Sequence, residues 1–128
     1  MIPRFSNIRL NQGSAITYAD SATNGASFTI NEDGVYAISY SSGGGGGAGI
    51  GITVNENLAS TGTTGITLYT ITYAQGFRAM SEDPNAGRRS FVGWSGFLSA
   101  GNVVRPHDNG ASNSFTAATN FSIVKVSN

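Results

Sequence analysis

Apolar and polar residues alternate over many short segments of this chain, which is the pattern of strands with one buried face. Tyr36, Ile38 and Tyr40, for example, fall on one side of such a strand, and smaller residues fall on the other. About eight to ten segments of this kind follow one another at spacings near 8–12 residues, which predicts an all-β antiparallel sandwich. The segments begin near Phe5, Ala15, Phe28, Gly34, Ile50, Ile66, Ser90, Val103, Phe115 and Phe121.

Turn-forming residues separate the predicted strands. A turn signal over 31–33 precedes Gly34, whose lack of a side chain is expected to allow a positive φ there. The glycine-rich stretch 41–47 is interpreted as a flexible loop, because no helix follows that could hold a phosphate group. Residues 75–89 contain much of the charge and are predicted to form a long surface loop between two strands. We interpret the whole chain, 1–128, as a single domain.

Composition excludes several classes of protein. Charged residues make up 11% of the chain and their formal net charge is zero, whereas a nucleic-acid-binding protein normally carries a basic patch. No segment approaches 18 consecutive apolar residues, so no membrane-spanning helix and no membrane partner are expected. The first residues lack the apolar region of a signal peptide, which predicts synthesis in the cytoplasm without classical secretion. The absence of cysteine excludes disulfides, thiolate zinc sites and cysteine nucleophiles.

Candidate catalytic and metal-binding residues are few. The single histidine, His107, is predicted to be a turn residue on a polar loop, and no Gly-Xaa-Ser-Xaa-Gly motif supplies a serine nucleophile for it. The carboxylates fall mostly in turns, where solvated acids are common. A calcium site built from Asp108, Asn109 and a neighbouring loop is the alternative for one of them. We therefore expect no enzymatic activity, no cofactor and no metal.

Aromatic residues provide the first interface candidates. Tyr36 and Tyr40 form a stripe that fits either the core of the protomer or the three-fold axis of a trimer. Trp94 differs in parity from Phe91 and Phe97, so it faces the other side of a regular strand, and an exposed tryptophan would mark an interface. The residues expected to be largely buried are Phe28, Tyr36, Ile38, Leu68, Ile71, Phe97 and Ile123.

Two charged segments provide the other candidates. Arg88 and Arg89 follow an acidic pair and are interpreted either as local ion pairs or as part of a docking loop that binds carboxylates. Residues 1–10 read either as the first edge strand or as an N-terminal arm. In the second interpretation Arg4 meets acidic groups and Phe5 fills an apolar pocket on another subunit, either a different protein or a neighbouring protomer.

Five segments, taken in order, resemble the C1q/TNF-like family of jelly rolls. The first two resemble its Gly-Xaa-Phe-Thr and Gly-Val-Tyr strands, the third ends in an asparagine turn, and the fourth resembles Leu-Xaa-Xaa-Gly-Asp-Xaa-Val. The last segment is similar to the closing strand, with Ile123 where the family has glycine. Asn102 also replaces the usual aspartate, and no collagen stalk precedes the domain. These segments span residues 25–30, 34–40, 52–55, 97–104 and 120–126.

This resemblance implies an antiparallel jelly-roll sandwich that assembles as a homotrimer. Stalkless versions resemble small virion proteins of tailed bacteriophages, which serve as capsid decoration proteins or as fibre tips. The first role implies a location on the capsid surface and the major capsid protein as partner. The alternative role is a receptor-binding knob that recognises cell-surface glycan.

Overall fold

The computed structural model describes residues 3–5, 7–43, 48–56, 76–83, 89–108 and 119–128. Eight β-strands, and no helix, form the regular structure of these segments. In chain order they are β1 (Ile16–Ser21), β2 (Gly25–Ile30), β3 (Gly34–Gly43), β4 (Ala48–Val54), β5 (Phe77–Asp83), β6 (Arg89–Leu98), β7 (Val103–Asp108) and β8 (Asn120–Ser127).

The strands form two antiparallel sheets that pack face to face. The larger sheet has the order β1-β2-β7-β4-β5, and the smaller has the order β6-β3-β8. Each sheet also pairs strands that are distant in sequence, such as β2 with β7 and β3 with β8. This arrangement confirms the predicted all-β antiparallel sandwich.

The core lies between the two sheets and consists of the inward residues of the alternating pattern. β3 contributes Tyr36, Ile38 and Tyr40, of which the two tyrosines are completely buried. From the larger sheet β4 contributes Ile50 and Ile52, which are also completely buried. Because the side-chain period of a strand is two, the alternation in sequence is sufficient to place these residues on one face.

Predicted core positions outside this group behave differently. Phe28 and Ile123 are partly buried and pack against the core. Phe97 contradicts the prediction, because 60% of its surface is exposed. Two further predicted core residues, Leu68 and Ile71, lie outside the described residues.

Two predicted loop and strand boundaries are corrected. Residues 77–83 form β5, which pairs with β4, and so they do not belong to a long loop. Residues 7–10 form no strand in the structure, although their alternation allowed one. Nothing in the pattern of residues 75–89 distinguishes a mixed polar strand from a loop, because β5 combines apolar positions with charged ones. The predicted strands beginning at Ile66 and Phe115 lie outside the described residues.

Gly34 is required for a reason other than the predicted one. Positive φ values occur at Gly13, Gly25, Gly76 and Gly101 among the described glycines, but not at Gly34. A Cβ atom on Gly34 would instead lie 2.5 Å from the backbone oxygen of Ser127 and 2.6 Å from Cε of Lys125. The close approach of β8, rather than the backbone conformation, therefore excludes a side chain at this position.

Candidate interaction surface

The outward face of the three-stranded sheet is unusually apolar. Phe91 and Phe97 on β6 are 64% and 60% exposed, and Val124 and Val126 on β8 are 52% and 57% exposed. Between these strands β3 presents small residues, and its Val35 pairs with Phe97. The strand register thus brings apolar side chains from both ends of the sequence onto one surface. We call this surface the β6-β3-β8 face.

The described side chains in the middle of the β6-β3-β8 face are uncharged, and Arg89, at the start of β6, has the same strand parity as Phe91 and Phe97. The remaining described positions of the face are small or polar and uncharged, and most are glycine, alanine or serine. Small side chains keep the middle of the face flat, so the exposed rings and valines project from a nearly planar base. Those positions are Ala37, Ser39, Ser41, Gly93, Ser95, Asn120 and Ser122.

The structure places Tyr36 and Tyr40 in the protomer core, so of their two interpretations the core one holds. Both side chains are 0% exposed, which leaves no surface for a three-fold axis. The Tyr36 hydroxyl donates a 2.7 Å hydrogen bond to the backbone oxygen of Glu32. Burial raises the pKa of the Tyr40 hydroxyl, and the negative charge of Asp108 raises it further.

Trp94 also faces inward, so the side of β6 that carries the tryptophan is the buried side and the side that carries the phenylalanines is exposed. Trp94 is partly buried and packs against the core, while Phe91 and Phe97 project outward. The sequence correctly predicts that Trp94 and the two phenylalanines face opposite sides of β6. It does not show which side is buried, because both faces of β6 carry aromatic residues. The exposed aromatic candidates of this strand are therefore the phenylalanines.

The N-terminal segment binds its own protomer. The Arg4 guanidinium donates from Nε and Nη2 to the Asp20 carboxylate, at distances of 2.7–3.0 Å. This pair holds the pKa of Asp20 below its usual value through the hydrogen bonds and the positive charge. The Phe5 ring lies against Tyr40 and Phe121, with centroid distances of 6.4 and 6.1 Å. Both groups thus have partners within the chain, and the interpretation of Arg4 and Phe5 as an arm for another subunit stays a prediction.

Backbone contacts fix the same segment. The oxygen of Pro3 accepts a hydrogen bond from the amide of Ala26 at 3.0 Å, and the oxygen of Phe5 accepts one from the Tyr18 hydroxyl at 2.8 Å. Residues 3–5 therefore close one side of the sandwich, although they do not form a strand. These partners are distant in sequence, so no local pattern indicates them.

The structure describes one residue of the arginine pair. Arg89 begins β6, where its backbone pairs with that of Gly43, and Arg88 lies outside the described residues. The nearby acidic pair, Glu82 and Asp83, ends β5 rather than lying in a loop. Their interpretation as a docking loop stays a prediction.

His107 is buried in β7, which corrects its prediction as a turn residue. Its Nε2 atom lies 2.7 Å from Oγ1 of Thr53 on β4, a distance that also suits a nucleophile and its base. However, Thr53 is 0% exposed and His107 is 1% exposed. Burial also lowers the pKa of His107 to about 3. A pair without access to substrate holds structure together rather than performing catalysis.

Other candidate ligand sites are small or lack the necessary side chains. A half-open pocket of about 100 Å³ is well below the roughly 300–1,000 Å³ of typical small-molecule sites. Within the described segments no three His, Asp or Glu side chains are grouped to hold a metal ion. Asn109, of the calcium alternative, lies outside these segments, and Asp108 is buried at the end of β7. The pocket is lined by Ile8, Leu10, Asn11, Gln12, Ile16, Tyr18, Phe28 and Ile123.

Helices that could cross a membrane are absent from the described part of the chain.

Comparison with known proteins identifies the architecture. No family model and no curated protein matches the sequence. Among solved structures, the chain is similar to the crystal structure of pika GITRL, with a TM-score of 0.57 and 13% sequence identity. The match covers 93% of this chain and 86% of the GITRL chain, and GITRL is a TNF-family jelly roll. The protein therefore has a TNF-like jelly-roll fold, as the succession of its strand motifs predicts.

Proposed function

We propose that this protein is a non-enzymatic structural protein that forms a homotrimer through the β6-β3-β8 face and decorates the capsid of a tailed bacteriophage. The observation that carries the proposal is the exposed apolar surface around Phe91, Phe97, Val124 and Val126. Single exposed apolar residues are ordinary in monomeric proteins, whereas contiguous apolar patches mark interaction sites.

A second copy of the chain is the occupant that best fits this face. The protein has a formal net charge of zero, so copies carry no net charge that would oppose their association. Burying the exposed part of each phenylalanine ring contributes on the order of 1–2 kcal/mol. The resemblance to C1q/TNF-like jelly rolls favours three copies over two.

The capsid role rests on the resemblance to small jelly-roll proteins of phage particles. Two features of the structure are compatible with a passive role. Its Thr53–His107 pair is buried, and the pocket beside Ile8 and Leu10 is too small for a typical small-molecule ligand. A decoration protein needs a stable assembled body and a docking surface, and it needs no chemistry.

The first test measures the mass of the purified protein by light scattering at micromolar concentration. The wild-type protein should have three times the protomer mass of 13.2 kDa. Replacing both Phe91 and Phe97 by serine should yield folded monomer, because it removes the two largest side chains of the face. As a control, Ile8→Ser with Leu10→Ser changes residues that are 55% and 76% exposed elsewhere, and it should leave the trimer intact.

A wild-type mass of 13.2 kDa would overturn the trimer. A trimer that persists in the phenylalanine variant but is lost in the control variant would place the interface elsewhere.

The capsid role is tested by adding the trimer to capsids stripped of their decoration. Saturable coating at many copies per particle is the expected result. Binding to glycans without binding to capsids would overturn decoration and favour the receptor-binding knob.

A further inference from the structure

The turn between β1 and β2 places an exposed asparagine directly before a glycine. Residues 22–24 form this turn, and the side chain of Asn24 is exposed. Gly25, which begins β2, has a positive φ of 70°. This left-handed conformation favours glycine, because a Cβ atom would be strained there. The geometry of the turn therefore requires a residue without a side chain after Asn24.

The carboxamide of Asn24 has no hydrogen-bond partner among the described residues, and only the backbone amide of Asn24 donates, to Oγ of Ser21 at 3.0 Å. Three other asparagines between strands differ from it, because their carboxamides are held. Nδ2 of Asn31 donates hydrogen bonds at 2.8 and 2.9 Å. Oδ1 accepts a backbone amide at 2.9 Å in both Asn55 and Asn102. The side chain of Asn24 is thus the one of these four that is free to rotate.

The residue that follows each asparagine also differs. Glutamate follows Asn31 and Asn55, and valine follows Asn102, so a side chain crowds the next backbone nitrogen at these three positions. Within the described segments, Asn24 is the one asparagine that precedes glycine; Asn109, which also does, lies outside them. A free carboxamide and an uncrowded backbone nitrogen therefore coincide at Asn24.

We propose that Asn24 is a site of spontaneous deamidation in the folded protein, which does not depend on the proposed capsid role. The backbone nitrogen of Gly25 attacks Cγ of Asn24 and forms a C–N bond. The side-chain nitrogen leaves as ammonia and takes with it the proton of the Gly25 amide. Water then opens the resulting succinimide at either carbonyl. The product is aspartate, or isoaspartate, in which the main chain runs through the side-chain carboxyl carbon.

The two products should differ in their effect on the N-terminal segment. Asp20 and Ala26, which are paired across this hairpin, both hold that segment. Asp20 accepts hydrogen bonds from Arg4, and the amide of Ala26 donates to the oxygen of Pro3 at 3.0 Å. Isoaspartate adds a carbon to the main chain of the short turn between them and so disturbs their pairing. Isoaspartate should therefore release residues 3–5, whereas aspartate should retain them.

The test incubates the folded protein at pH 8 in water enriched in oxygen-18 and maps its peptides by mass spectrometry. The peptide that contains Asn24 should exchange NH2 for OH, incorporate one oxygen-18 atom and separate into aspartate and isoaspartate forms. Asn24 should be converted before any change is detected at Asn31, Asn55 or Asn102. Asn24→Gln is the matched variant, because glutamine keeps the carboxamide but would have to close a larger ring, and it should remain unmodified.

Two results would overturn the proposal. The first is a native protein that stays unmodified while the urea-denatured chain reacts, because the pairing of Gly25 with Ser21 would then protect the nitrogen. The second is reaction at equal rates at Asn24 and the other three asparagines, because the free carboxamide and the glycine would then select nothing.

Hydrogen exchange tests the effect on the N-terminal segment. The isoaspartate form is separated from the aspartate form by chromatography, and Asn24→Asp supplies the same charge with an unaltered main chain. The amide of Ala26 should lose protection in the isoaspartate form and keep it in the other two, since protection reports local opening. Equal protection of Ala26 in all three proteins would overturn the release of residues 3–5.

Discussion

The outward faces of the two sheets depart from the usual distribution of side chains in opposite ways. On the β6-β3-β8 face, Phe91 and Phe97 are more than half exposed, although apolar side chains are expected inside. On the larger sheet, Thr53 and His107 are buried, although polar side chains are expected outside. In both sheets the side chains alternate between the core and the outward face, as expected for a strand. The two outward faces differ in whether the rest of the chain covers them.

This contrast separates two uses of an outward face. An exposed apolar face gains free energy only when another surface covers it, so its stabilisation depends on protein concentration. A buried polar cluster contributes within the protomer, and its stabilisation depends on the completeness of its hydrogen bonds and on pH. The two kinds of stabilisation therefore lie on opposite sides of the same sandwich.

The largest expected effect compares adjacent residues on β6 that face opposite sides. Leu98 is 2% exposed, and Leu98→Ala should lower the free energy of unfolding by about 2–5 kcal/mol because it leaves a cavity in the core. Phe97→Ala should cost less than about 0.5 kcal/mol when the protein is dilute enough to be monomeric. Urea unfolding over a range of protein concentrations measures both. A large cost for Phe97→Ala in the monomer would show that the ring stabilises the protomer itself.

The next effect concerns the buried polar face. Thr53→Val preserves the shape of the side chain but removes the partner of His107 Nε2, and it should lower the free energy of unfolding by about 1–3 kcal/mol at pH 7.5. Thr29→Val is the matched control, because Thr29 lies on the same side of the sheet in β2 and is only partly buried. Its change should stay within about 0.5 kcal/mol. If the two variants are equally stable, the Thr53–His107 contact contributes nothing measurable.

The smallest effect concerns the charge of Arg105, which lies near the Thr53–His107 pair. Arg105→Met keeps the aliphatic stem but removes the guanidinium that disfavours protonation of His107. The pKa of His107 in the folded protein should rise, so acid should destabilise this variant less strongly, by an amount equivalent to roughly half a pH unit or less. Arg9→Met serves as the control, since Arg9 is exposed near the N-terminus. Urea unfolding curves at several pH values measure the shift, and identical curves for the two variants would exclude a role for the Arg105 charge.

Local periodicity predicted most of the described strands. The inward stripe of β3 and the positions of β6 and β8 follow directly from alternation, because a strand's side chains change face at every residue. Residues 77–83 were missed as a strand because charge interrupts their apolar pattern. The orientation of β6 could not be deduced, since Phe91 and Phe97 compete with Trp94 for the buried face.

The candidate surfaces were harder to predict than the strands. The apolar face joins β6 and β8 through β3, so it exists only once the register of three distant segments is set. The Thr53–His107 contact joins residues 54 positions apart, and no local motif indicates it. Similarly, the engagement of Arg4 with Asp20 spans 16 positions. A sequence pattern carries no signal for such pairs.

The sequence alone therefore determined the class of fold, the alternation within each strand and the turn positions that separate the strands. These properties depend on the local geometry of the backbone and on the burial of every second side chain. Tertiary structure alone decided which outward face is covered, where His107 lies and whether the N-terminal segment is free. Those outcomes depend on contacts between strands that are distant in sequence, and the free energy of such contacts appears only when the two sheets have packed together.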